Sequence, residues 1–576
     1  MAEGKLWVQP YLQWLRRQAT LQVISKIAPA GTHFRDHLEK LIWPYLRFAI
    51  CVPRDCPTIA EALTEIPDWC PVTVLLARGK YVEEGLVINK PVALRGNGKV
   101  QLSSNDGPLS VNCEGPGSPQ LCNLDIESSI EIVTGAVLKS CHLSGFLSVR
   151  GSAKPQIENC SFKAMGSTVL SLRDDAEVKL SDCSFQENTG TCIAARNSAT
   201  VVVERGTFTQ NGAPVIQLRD STTLRLSDSR LDSNNGCGIL VRGDATAHIS
   251  SSQLSGHKMS AVAFQHQATG SVSKSRLERN DGAVLLINGT AKGIMVEDND
   301  FCNNGRSAPV IEFKASTGAV KAKIVAKRED ETNGLTHKLA YISGQSGEEW
   351  ADLDEGKSMI RNQSGNVDVP YKLKDPIRAG MAHDGEGGQM KGVSLTKGTK
   401  RCVIAIKDSA CATVKRNCLK CNDGYGILIS GDEMPIIEEN ILEECQHAAI
   451  CIEGTSRALV QSNTLKNNSG IGIQVQDSAC PTLERNTVSA ANLPAIRFAG
   501  KSSGTIRNNA LTSKGNHTLV VSGDASPSIE KNTSGKKRPA ISLSDQAQGA
   551  STSETEGDVQ TMLEERAKGL LKEEIG

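Results

Sequence analysis

Residues 427–449, ILISGDEMPIIEENILEECQHAA, and residues 450–472, ICIEGTSRALVQSNTLKNNSGIG, are two copies of one 23-residue pattern. Each opens on an apolar pair two apart, Ile427 and Ile429 or Ile450 and Ile452. Each then places an aliphatic residue ten positions on (Ile437, Val460), an asparagine three later (Asn440, Asn463) and a leucine two after that (Leu442, Leu465). The leucine row extends outward at the same interval as Leu419, Leu442, Leu465, Val488 and Leu511. An earlier series, Phe162, Phe185, Phe208, Leu231, Leu254 and Leu277, keeps the interval of 23, and Phe301 follows at 24. Self-similarity at a fixed period of this length marks a solenoid.

Within each copy the apolar residues come in period-2 pairs, which belong to strands and not helices. β-Branched residues in the pairs, with Gly and Asn between them, agree with that reading. Short strands repeated every 23 residues predict an all-β parallel β-helix. Equivalent residues then stack about 4.8 Å apart, the ordinary strand spacing. A single coil cannot bury its apolar face, and stacking does so. A leucine-rich repeat would need a Leu-x-x-Leu-x-Leu segment in each unit, which is absent.

Two polar rows share the register. Asn417, Asn440, Asn463, Asn486 and Asn509 precede the later anchors by two, and the phase reaches Asn532. Asn188, Asn211, Asn234, then His257, then Asn280 and Asn304 follow the earlier anchors by three. Asn tolerates the left-handed backbone of a tight turn, and its amide can bond to the copy in the next coil. Both rows are therefore expected to be structural ladders, with His257 as a ladder substitution.

The 576 residues carry 64 basic and 64 acidic side chains, and only 4% are aromatic. No block of like charge suggests a nucleic-acid arm, and no apolar run is long enough to span a membrane. The first residues lack the apolar core of a signal peptide, which points to an intracellular, cytoplasmic protein with its 18 cysteines reduced. Cys418 and Cys421 form one CxxC, but a zinc site needs a second pair of ligands. Cys402, Cys411 and Cys445 are irregularly spaced partners, so coil packing is the expectation and no metal or cofactor is assigned.

Residues 1–50 hold Trp7, Trp14 and Trp43 at helical spacings and read as a helical N-terminal region. Residues 51–316 read as the first part of the β-helix, with Thr58–Leu63 as a short capping helix and irregular coils over 72–150. The period fails between Phe301 and Leu419. The strand at Val310–Ser316 echoes Val403–Ser409, which places an inserted small β domain at 317–375 and a linker at 376–400. Residues 401–535 resume the β-helix, 536–556 read as disordered, and 557–576 as an amphipathic C-terminal helix.

Enzymes on β-helices need clustered carboxylates, or a base beside Arg, on one outer face. The phase Asn159, Asp182, Arg205, Asp228 alternates in charge without concentrating, which suits a surface ion row. Ser255-Gly256-His257-Lys258 lacks the acidic partners of a polygalacturonase site. No catalytic residue is assigned.

The strings Pro435-Ile-Ile437-Glu-Glu-Asn440-Ile-Leu442 and Pro481-Thr-Leu483-Glu-Arg-Asn486 resemble the carbohydrate-binding and sugar-hydrolase-type right-handed parallel β-helix repeat. The resemblance spans most of residues 51–535. Intracellular relatives include F-box-only β-helix proteins and Shc-SH2-binding proteins, so it implies a non-catalytic scaffold for protein partners, with substrate recognition in a cullin-type ubiquitin ligase as the specific case. Residues 1–50 depart from the F-box pattern in lacking its Leu-Pro opening. A polysaccharide-acting lyase, hydrolase or epimerase is the alternative. Within the insertion, Tyr341-Ile-Ser-Gly-Gln-Ser-Gly-Glu-Glu-Trp350-Ala-Asp-Leu353 resembles a Tudor-like barrel hairpin, which implies Tyr341 and Trp350 as partner-binding residues.

Overall fold

A computed structural model describes residues 49–66, 71–114, 117–212, 214–305, 402–490, 492–515 and 517–534. It also gives backbone strands between 310 and 368, at Ile541–Leu543 and at Thr552–Ser553. Those strands apart, the N-terminal helices, the linker and the C-terminal helix expected above lie outside the described residues.

Each coil contributes one strand to each of three parallel sheets, A, B and C. One coil is Thr200–Glu204 in A, Thr207–Thr209 in B and Ile216–Leu218 in C. Pairing is in register with the next coil: Val203 lies on Leu226, Phe208 on Leu231 and Ile216 on Ile239. The 23-residue interval is therefore the coil itself. Inward positions form continuous ladders and are fully buried. Phe162, Phe185 and Phe208 stack with centroids 4.4 and 4.7 Å apart and ring planes within 9°. Edge contacts between rings are excluded here, because the coil rise holds the ring planes parallel. Early coils are irregular, as their partners Ala49, Thr73, Ala93, Gln120, Val137 and Gln156 along sheet A make plain.

The first coil is closed by helix α1, Ile59–Glu65. Thr58 caps it, its Oγ1 accepting from Glu61 N at 3.2 Å. The buried Glu83 carboxylate accepts from Ile59 N at 2.8 Å and Ala60 N at 3.2 Å. At the other end Lys90 Nζ donates to the Leu63 and Ile66 carbonyls. An anion at the N-terminus and a cation at the C-terminus both suit the helix dipole. Ile59, Ala62 and Leu63 complete the core there.

Both asparagine rows are hydrogen-bonded ladders. Asn440 N and Nδ2 donate to Asn463 Oδ1, both at 2.9 Å, and Nδ2 also donates to the Val414 carbonyl at 2.8 Å. Asn417, Asn463, Asn486 and Asn509 repeat this pattern in the A–B turn. Earlier coils replace them with Ser229, Ser252 and Ser275, whose hydroxyls accept the same backbone N–H. Asn188, Asn211, Asn234 and Asn280 line the B–C turn, joined by Asn304, Asn422 and Asn468. The left-handed residue is not the asparagine, contrary to the sequence argument. It is the one before it: Arg416, Glu439, Ser462 and Arg485, with φ of 52–56°. That residue turns the chain so that the following asparagine points inward, where its amide is needed.

The solenoid continues across the insertion without a break. Cys402–Asp408 stacks on Leu285–Ile287, and Asn299 N donates to Asn417 Oδ1 at 3.1 Å. Val310–Ala315 is not a coil strand, despite its echo of 403–409. It pairs antiparallel with Gly318–Lys327 across a tight hairpin, in a four-stranded sheet with Thr336–Ile342 and Glu348–Asp352. Met359–Asn362 and Gly365–Asp368 form a separate hairpin. Past the expected limit at 535, Ile541–Leu543 pairs onto sheet C and Thr552–Ser553 onto sheet A. Ile541-Ser-Leu543 is one more period-2 pair, which is why it can extend the stack.

Candidate functional site

Over coils 139–205 the outer edge of sheet A and the A–B turn form an open groove of about 560 Å³. Its walls are Lys139, Ser140, Gln156, Glu158, Asn159, Lys179, Ser181, Asp182, Glu204 and Arg205. Outward strand positions supply Lys139, Glu158, Lys179 and Glu204. The left-handed turn positions supply Asn159, Asp182 and Arg205, with φ of 50–55° that pushes each side chain out of the coil. Coil stacking does the rest, since residues far apart in sequence become neighbours one rung apart.

The charges in the groove are paired. Arg205 grips Asp182 with two bonds, Nε–Oδ1 at 2.7 Å and Nη2–Oδ2 at 2.8 Å, and reaches Glu204 at 3.9 Å. Lys179 meets Glu204 and Lys139 meets Glu158, both at 3.2 Å. Asn159 Nδ2 donates to Ser140 Oγ at 3.0 Å. The Arg205 hydrogen bonds hold the Asp182 carboxyl below its usual range and raise the guanidinium in return. Asp182 and Arg205, assigned to a surface ion row, are thus brought together with two further carboxylates. The Asp182–Arg205 pair lies on the 23-residue phase, as an ion row implies, whereas Lys179 and Glu204 meet 25 residues apart and off it.

A second polar face lies on sheet B. Asp232, Ser255 and Glu278 stack at equal phase. The two carboxylates are therefore about 9.6 Å apart at two rungs, a separation open to inverting glycosidases. Spacing alone does not exclude hydrolysis, but protonation opposes it. Burial would raise Glu278, yet hydrogen bonds from Arg276 and the charges of Arg276 and Arg279 lower it. Burial would raise Asp232 too, and the Ser255 hydroxyl at 2.5 Å and Arg230 outweigh it. Among the described residues, every resolved shift of a carboxyl, lysine or arginine favours the charged form. A general acid requires the opposite shift.

His257 stands in the B–C ladder, fully buried, with its backbone N donating to Asn280 Oδ1 at 3.0 Å. Burial pushes its pKa down to about 4. Cys418 sits on a sheet B strand, and Cys421 at a left-handed turn position with its thiol 2.8 Å from Glu444 Oε2. Among the described residues no three His, Cys, Asp or Glu side chains converge as a metal site. In the insertion, Tyr341 pairs with Glu349 and Trp350 with Ala340. The two aromatic positions therefore stand at opposite parity of the sheet, which separates them as a cage.

Residues 126–301 and 379–534 match the family described as the right handed beta helix region, which is more than half of the chain. The chain belongs to this family. No curated protein matches it. Solved structures similar to it include ORF18 of Geobacillus virus E2, at 11% identity over 61% of this chain and 84% of that one, TM-score 0.34. The A-module of the Azotobacter vinelandii mannuronan C-5 epimerase AlgE4 aligns at 10% identity over 86% and 93%, TM-score 0.20. The capsular polysaccharide depolymerase gp49, a tailspike of the Acinetobacter baumannii bacteriophage Fri1, aligns at 13% over 55% and 80%, TM-score 0.26. Scores this low carry nothing about activity.

Proposed function

We propose that the protein is a carbohydrate-directed β-helix that binds a neutral, hydroxyl-rich polysaccharide along the groove of coils 139–205 without cleaving it. One observation carries the reading: successive coils line one open groove with alternating hydrogen-bond acceptors and donors. Glu158, Asp182 and Glu204 accept, while Gln156, Asn159, Lys139, Lys179 and Arg205 donate. Sugar hydroxyls both donate and accept, and side chains held in place by their own ion pairs offer both without further ordering. Three cations against three carboxylates leave the groove without net charge, which favours a neutral glycan over a polyuronate. The downward shift of Asp182 leaves it ionised at neutral pH, suited to accepting hydrogen bonds and not to protonating a leaving group.

The test is binding of the full chain to immobilised neutral glucans, mannans and galactans beside alginate and polygalacturonate. Binding to a neutral glycan, lost at least tenfold in Arg205→Ala, is expected. Binding to no neutral glycan, or equal binding by the variant, overturns the reading, and release of reducing ends from the bound glycan overturns its non-catalytic part.

A second reading is an intracellular scaffold for protein partners, with ubiquitin-ligase substrate recognition as its specific case and Tyr341 and Trp350 as contact residues. The pairing of every charge that lines the groove, which suits recognition more than chemistry, favours it. Affinity purification of the tagged chain, with and without residues 1–50, decides it, and recovery of no stoichiometric protein partner removes it.

A further inference from the structure

The outward position of sheet C changes character along the solenoid. It is Ser148, Ser171, Ala194 and Gln217 in early coils and Gln474, Arg497 and Val520 in late ones, mostly polar. Between them it is Leu240, Ala263, Leu286, Ala405, Leu428 and Cys451. An outward strand position normally faces water, yet Leu428 is 1% exposed and Ala405 and Cys451 are 0%. With Cys402, Tyr425 and Ala448 these residues form an apolar cluster separate from the solenoid core. Its outer members are buried as well, Tyr425 to 7% and Cys402 to 4%, so a further layer covers it.

We propose that this stripe is the seat of the chain's own insertion, residues 306–401, which docks the apolar face of its four-stranded sheet on sheet C. Position is the first argument. The insertion leaves in a B–C turn after Asp300–Cys302 and returns at Cys402–Asp408, itself a stripe strand. Three stripe residues lie before that point and three after it, so the apolar stretch is centred on the insertion. The inserted sheet supplies the second argument. Its register gives Ile311, Phe313, Val320, Ile324, Leu339 and Tyr341 one parity. The other parity is mixed, with Val325, Ile342 and Trp350 among Glu312, Lys314, Lys321, Lys323, Lys338 and Asp352, so the first face is the more apolar of the two. A sheet patterned in this way needs one face covered. Residues 1–48 are the competing occupant. They join the solenoid at Ala49–Val52, roughly 40–60 Å down the axis at about 4.8 Å per coil, which is within their reach, so lysine cross-linking separates the two occupants. Docking would hold the insertion on the solenoid as a fixed module beside sheet C, clear of the groove on sheet A.

The test compares the full chain with a variant in which residues 306–401 are replaced by one glycine, which restores a turn as long as 279–284. Brief maleimide labelling with peptide mass spectrometry reads each thiol. In the full chain Cys451 is expected to label at least about 100-fold more slowly than the exposed Cys480, and in the deletion within about tenfold of it, while the interior Cys192 stays protected in both. Continued protection of Cys451 in a deletion that keeps Cys192 protected overturns the proposal. If Cys192 labels too, the shortened chain has not folded, and lysine cross-linking of the intact chain decides. Links from Lys407 to Lys321, Lys323 or Lys338 are expected. Links to Lys5, Lys26 or Lys40 instead, or none to the inserted sheet, overturn it.

Discussion

Replacing His257 with asparagine should stabilise the protein, and more so in acid. Every asparagine around it in the B–C ladder spends its amide on neighbours: Asn211 Nδ2 donates to Asn234 Oδ1 at 2.9 Å and to the Phe185 carbonyl at 3.1 Å. At His257 neither ring nitrogen makes a hydrogen bond, although both are buried. The Leu231 carbonyl is near enough to favour the charged ring slightly but is not aligned to satisfy it. Gly238 makes the room, since a Cβ there would lie 3.0 Å from the ring. An asparagine would restore up to four ladder bonds, each worth about 0.5–1.5 kcal/mol net. Against this stands a cavity term of roughly 1 kcal/mol for the smaller side chain. A gain of about 1–5 kcal/mol at pH 7.5 is the balance.

Acid adds to that gain. Burial lowers the folded pKa of His257 from 6.5 to about 4, so the folded state resists a proton that the unfolded chain accepts. The stability this group gives is complete above pH 6.5 and is lost as pH falls from 6.5 to 4, by roughly 3 kcal/mol in all. His257→Asn has no such loss. Its advantage over the parent in denaturation midpoint should therefore widen between pH 7.5 and pH 4.5, while the pH dependence of all other groups cancels in the comparison. An advantage that stays constant with pH, or a variant less stable at both, would refute the reasoning.

Asn463→Ala should cost about 3–4 kcal/mol, because it strips a ladder acceptor from Asn440 and leaves buried donors unpaired; a midpoint shift below a third of that in chemical denaturation would count against the ladder as a main support. Phe185→Ala, at the centre of the ring stack, should cost about 3–5 kcal/mol by the same measurement, as large-to-small core changes do. Glu83→Ala frees the N–H groups of Ile59 and Ala60 and should loosen α1 by about 2 kcal/mol, read as faster limited proteolysis within residues 53–66 while the later coils stay intact.

Much of the fold is legible along the chain because one coil writes the same rule at every repeat. Ile427, Ile450, Ile473 and Ile496 occupy one phase and one inward ladder, and the Phe and Asn rows obey the same rule. The insertion was bounded less well. Val310–Ala315 has the composition of a coil strand, and only the hairpin to Gly318–Lys327 decides its partner. The second asparagine ladder is legible in sequence as far as Asn304; beyond the insertion Cys445 interrupts Asn422 and Asn468, while the turn persists in space.

The sequence by itself determined the period, the strand class and the inward ladders, because burial repeats at the interval of the coil and leaves a residue pattern that needs no coordinates. Tertiary structure alone decided the outward chemistry. Which of two adjacent turn residues takes the left-handed backbone, which carboxylates meet which cations one rung away, and that Leu428 faces out yet is buried all depend on contacts between coils. The phase brings outward residues within reach of one another but does not say which of several neighbours each meets, and an outward position is free to vary with whatever covers it.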